Sequence, residues 1–148
     1  MASASDTAPP PDPLMQYIVL RRDMWGGGGP GAPAGAPWPL GAVAAQAAHA
    51  ATAALWESRG AADTVAYCTG DALNHMTKVV LEVADGAALA DLAARLGGAG
   101  VAHRVWTELP EGVPTAVASA PGRKSVLQPH FKAGKLCRVG IGGGKTGA

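Results

Sequence analysis

The 148-residue chain carries 12 Lys and Arg against 11 Asp and Glu, a formal charge of +1; it is long enough for one hydrophobic core, too short for two ordinary domains, and not uniformly basic in the manner of a nucleic-acid-binding arm. The charge is unevenly placed, because Arg123, Lys124, Lys132, Lys135, Arg138 and Lys145 follow the last acid, Glu111, and this stretch would attract phosphate wherever it lies on the surface. Cys68 and Cys137 have no CxxC spacing and no disulfide framework, so they read as free thiols in a reducing compartment, which favours the cytoplasm.

Residues 1–14 are expected to form a disordered leader. Met1 to Pro13 holds two Asp and no Lys or Arg, and lacks the apolar stretch of a secretory signal. So short a segment leaves organelle import open. Gln16-Tyr-Ile-Val-Leu-Arg21 is rich in β-forming residues and predicts a buried strand. The Gly/Pro tract 26–37 has too few side chains to bury against its ordering entropy, and is expected to be a flexible loop.

Trp38 to Ala53 is the most informative stretch: an alanine surface broken only by the polar Gln46, His49 and Thr52. Alanine's helix propensity, the absence of Pro and Gly between Ala42 and Glu57, and Pro39 as a start signal predict a helix. Gln46 and His49 then share one flank. The polar interruptions and Glu57 make the run too short to span a membrane, so no membrane partner is expected.

Asp63 to Cys68 predicts a short second helix with Asp63 as its cap, and Lys78-Val-Val-Leu-Glu-Val83 a second buried strand. Asp85 caps a helix whose Leu89, Leu92, Ala93 and Leu96 recur at helical spacing before Gly97-Gly98. His103 to Glu108 and Thr115 to Ala120 are the third and fourth strands, joined by a turn. Pro129 and Gly134 interrupt Ser125 to Leu136, so any helix there should be short or broken. Strands alternating with helices, then a tight strand pair, indicate an α/β class with a mixed sheet and helices on its faces.

Several motifs fail. Gly140 to Thr146 has three residues where a phosphate loop needs four before Gly-Lys-Thr. No GxSxG elbow is present. His49, His75, His103 and His130 lack metal-ligand spacing, so no metal site is expected.

Gln16-Tyr-Ile-Val-Leu-Arg-Arg-Asp23, Gly41-Ala-Val-Ala-Ala-Gln-Ala-Ala-His-Ala50, Lys78 to Val83 and Pro114-Thr-Ala-Val-Ala-Ser-Ala-Pro121 occur in the order found in the type II peptidyl-tRNA hydrolases, which the chain resembles. The resemblance implies a three-layer α/β/α sandwich around a four-stranded mixed sheet over residues 15–124, and the residues beyond it, 125–148, are read from their charge and composition as a basic, Gly-rich tail. It implies hydrolysis of the ester between a peptide and tRNA, which recycles tRNA, without metal or organic cofactor. Peptidyl-tRNA or tRNA is the implied partner, and a homodimer is compatible with the family.

By position, the family's helix histidine, acidic residue and threonine correspond to His49, Glu108 and Thr115, with glutamate in place of aspartate. Arg22, Gln46, Trp106 and Lys124 are the implied substrate-binding residues. One departure bears on activity. The lysines that typical members carry before the AAQ run are Leu40 and Ala42 here, neither of which can hold a phosphate. The chain is therefore read as a hydrolase with a rearranged site, with a tRNA-binding or protein-interaction module on the same fold as the alternatives.

Overall fold

A computed structural model describes residues 11–27 and 29–138. Most of the expected leader, Gly28, and the Gly140 to Thr146 motif lie outside the described residues.

Strand β1 (Leu14–Arg21) is central to the sheet, with alternate side chains buried on opposite faces. It pairs in parallel with β2 (Thr77–Val83) and antiparallel with β4 (Val113–Ser119), which pairs in turn with the edge strand β3 (His103–Glu108). All four expected strands are present, but among the described residues the sheet has six: β5 (Gly122–Arg123) also pairs with β1, and β6 (Lys135–Leu136) extends the order to β3-β4-β1-β2-β6. This corrects the expected count of four. The additional strands, β5 and β6, have two residues each and carry no readable alternation.

Helix α1 (Leu40–Glu57) covers one face, where Val43, Ala50, Ala51 and Ala54 pack with Ile18, Leu20, Ala116 and Ala118. Helix α3 (Gly86–Gly98) covers the other, with Leu89, Leu92 and Leu96 against Tyr17, Val19 and Val117. Three layers result, since a sheet apolar on both faces must be covered on both. As expected, Asp85 caps α3 by accepting from the Ala88 N–H at 2.9 Å.

Helix α2 (Ala62–Cys68) is also present, but Ala61 rather than Asp63 is its N-cap residue. Asp63 lies in the first turn, where its charge favours the helix dipole without a capping bond. The segment after β5 folds as α4 (Lys124–Leu127), then a 3₁₀ turn with Pro129 near its start. Phe131 in that turn stacks on Tyr17, ring centroids 4.6 Å apart. Asp12 is also engaged, accepting from the backbone N–H and hydroxyl of Ser125. Among the described residues, no helix is long and apolar enough to cross a membrane.

Candidate active site

Four side chains form a continuous hydrogen-bonded chain between α1 and the ends of β3 and β4. The Thr115 hydroxyl donates to Gln46 Oε1 at 2.6 Å, and Gln46 Nε2 donates to Glu108 Oε2, also at 2.6 Å. The Trp106 indole N–H donates to the same carboxylate oxygen at 3.3 Å. His49 completes the group by stacking on Trp106, with ring centroids 4.5 Å apart and planes 18° from parallel.

Local sequence explains this placement. The alanines of α1 bring its backbone close to the sheet, so Gln46 is buried while His49, three residues on, stays exposed at the flank. Thr115 is fully buried at the start of β4. Trp106 and Glu108 are two apart on β3 and turn to the same side.

Donation by Gln46, then by Trp106, holds the Glu108 carboxyl below the usual glutamate range, and the nearby His49 acts in the same direction. Glu108 is therefore ionised at neutral pH. Because an ionised carboxylate only accepts, it fixes the amide orientation of Gln46, which leaves Gln46 Oε1 to accept the Thr115 proton. The Thr115 hydroxyl is thus committed as a donor inside the protein.

His49, Glu108 and Thr115 are thus brought to one place, together with Gln46 and Trp106. Gln46 joins Glu108 to Thr115 and spends its amide within the protein. The other two residues expected near substrate lie elsewhere. Arg22 is exposed and reaches Glu82 at 3.6 Å, beside Asp91 and Arg95. Lys124 donates its backbone N–H to Pro13 beyond the opposite end of β1, roughly 25 Å along the strand from Thr115. A lysine side chain does not span that distance.

Arg21 is a supporting residue that the sequence did not single out. Its guanidinium makes two bonds to Asp23, at 2.8 and 2.7 Å, and donates to the carbonyls of Pro114 and Gly31. It thereby ties the residue before Thr115 to the Gly/Pro tract. The Trp38 N–H, donating to the Met24 carbonyl at 2.6 Å, closes that tract on itself. The pair at Arg21 and Asp23, flanking the end of an apolar strand, was the available signal.

The model for peptidyl-tRNA hydrolase PTH2 matches residues 14–137. The chain belongs to the peptidyl-tRNA hydrolase PTH2 family. It is also 40% identical over 126 residues to the Mus musculus protein described as putative peptidyl-tRNA hydrolase PTRHD1, covering 85% of this chain and 84% of that one. The Homo sapiens protein of the same description has the same identity and coverage. As a member of the peptidyl-tRNA hydrolase PTH2 family, the chain nonetheless presents Leu40, 65% exposed, at the first position of α1. Ala42 follows in the same turn, so no amine stands at either place.

Proposed function

We propose that the protein hydrolyses the ester joining a peptide, or an N-blocked amino acid, to the terminal ribose of tRNA in the cytoplasm, with Glu108 and His49 as the reacting groups and Thr115 positioned behind them through Gln46. The observation that carries this reading is the Thr115–Gln46–Glu108 chain beside an exposed imidazole. It supplies an ionised carboxylate, a second proton-transfer group and a fixed hydroxyl within one family framework.

In this reading Glu108 accepts a proton from a water whose oxygen attacks the ester carbonyl. Thr115, fully buried, acts through Gln46, whose amide it helps to orient against the Glu108 carboxylate. As the tetrahedral species collapses, the bond to the ribose oxygen breaks, and His49 delivers a proton to that oxygen and recovers one from Glu108. General base catalysis of this kind is worth about 10²–10⁴-fold. A carboxyl held below its usual range is a weaker base than one matched to neutral pH, and among the described residues no lysine stands beside Glu108, so slow turnover is expected.

The test is deacylation of an N-blocked aminoacyl-tRNA by the full chain, with Glu108→Gln and His49→Ala as comparisons. Turnover that both substitutions reduce supports the assignment. Turnover that neither affects overturns the site. Leu40 in place of a cation weakens stabilisation of the oxyanion, and so supports a second reading with little hydrolysis, a tRNA-binding or protein-interaction module on the same fold. Binding with a steep salt dependence and no turnover would identify the tRNA-binding module.

A further inference from the structure

Trp56 is 68% exposed, an unusual position for the largest apolar side chain in a small domain. It follows His49 by seven residues on α1, two helix turns. The two side chains therefore share a helix face, offset by about 20° in azimuth and about 10 Å along the axis. The Arg59 guanidinium lies 4.6 Å from the Trp56 ring centroid, and Arg59 also donates to the Trp56 carbonyl at 2.7 Å. The ring is thus backed by a fixed cation, with most of its surface in solvent. Beside it, Leu55, Thr64, Val65 and Cys68 line a shallow cavity of about 300 Å³ between α1 and α2.

From the shared helix face and the fixed Trp56–Arg59 pair, we infer that Trp56 is a stacking platform for an unpaired base of the substrate RNA, with Arg59 placed for the adjoining phosphate. This rests on the reading of the Glu108 cluster as the site of ester cleavage and extends it to the RNA arm of the substrate. The separation of about 10 Å corresponds to roughly one to two nucleotides of an extended strand. An aromatic face with an adjacent arginine suits a base and its phosphate, because every base offers a π-face and the guanidinium offers charge. Glu57, the acid nearest in sequence, is paired with Arg104 and does not offset Arg59.

The test compares wild-type protein with Trp56→Ala, Trp56→Phe and Arg59→Ala, using deacylated tRNA over a range of salt and an N-blocked aminoacyl-tRNA for turnover. Trp56→Ala is expected to weaken tRNA binding roughly tenfold or more, raising KM with kcat unchanged, while Trp56→Phe retains most of the affinity. Arg59→Ala should lower the salt slope by about one. Unchanged tRNA affinity in Trp56→Ala overturns the inference. So does a loss confined to substrates with bulky acyl groups, which would assign the surface to the peptide, or a change in oligomeric state alone, which would assign it to a second copy. A wild-type protein that neither binds nor deacylates tRNA overturns the ester-hydrolase reading and this inference with it.

Discussion

Gln46 donates to Glu108 at 2.6 Å with an amide whose other end accepts from a fully buried Thr115. One side chain therefore controls both the charge of the carboxylate and the direction of the threonine proton. Replacing it should alter the site in two separable ways.

The first is pH dependence. The folded state holds the Glu108 carboxyl below its usual range, chiefly through Gln46. The associated stabilisation is present above the unfolded value and lost as pH falls through the lowered folded value. Activity that needs the carboxylate should therefore have an acid limb below the ordinary glutamate range. In Gln46→Met that limb should move towards higher pH. A kcat/KM profile from pH 3 to 8 reads it directly, and an unmoved limb would separate Glu108 from catalysis.

The second is stability. Gln46→Met also leaves the Thr115 hydroxyl buried without its acceptor, which costs on the order of 1–3 kcal/mol. Gln46→Met with Thr115→Val should recover part of this loss, since both ends of the interaction are then apolar. Thermal or urea unfolding of the single and double variants measures the coupling.

Trp106 separates geometry from polarity at His49. Trp106→Phe keeps a ring to stack on the imidazole and loses only the indole N–H to Glu108. Its activity should fall by a few fold. Trp106→Ala removes the stack as well, worth about 0.5–1.5 kcal/mol, and should cost roughly tenfold in kcat/KM. Equal losses in the two variants would mean that the stack does not position His49.

Gly86 opens α3, where alanine would ordinarily improve helix propensity. A Cβ there would lie 2.8 Å from the Arg21 guanidinium, which Asp23, Pro114 and Gly31 hold in place. Arg21 cannot swing aside without releasing those partners. Gly86→Ala should therefore destabilise the protein by about 1–3 kcal/mol, measured as a fall in Tm.

The residues that were legible in the sequence share one property: their environment is set by local sequence. The α3 leucines follow from a helical repeat, Asp85 from its place just before that repeat, and β1 from a continuous run of β-forming residues. The edge strand β6 was not legible, because Lys135–Leu136 is too short for a pattern and its pairing with β2 is decided by tertiary contact. The same distinction holds at the site. His49, Glu108 and Thr115 are singled out by a family pattern, but the link of Glu108 to Thr115 through Gln46 depends on side-chain orientation across 62 and 69 residues of chain. Lys124 lies apart from this cluster for the complementary reason, since its charge is visible in the sequence and its end of the sheet is not.

Leu40 and Ala42, at the positions where the type II pattern that the sequence resembles has lysines, yield the most direct test of the proposed site. Leu40 is exposed at the first turn of α1, so a lysine there loses little packing. Ala42, half-buried one position before Val43, must send a lysine side chain outward past the turn. If the Glu108 cluster cleaves an ester whose oxyanion lacks a counterion, Leu40→Lys with Ala42→Lys should raise kcat/KM by about tenfold, equivalent to about 1.4 kcal/mol of transition-state stabilisation. The gain should shrink in Glu108→Gln, because a cation adds little where no base activates the water. A gain that persists undiminished in Glu108→Gln would show that the lysines act only by binding tRNA, and a tRNA affinity that rises in step with kcat/KM would confirm it.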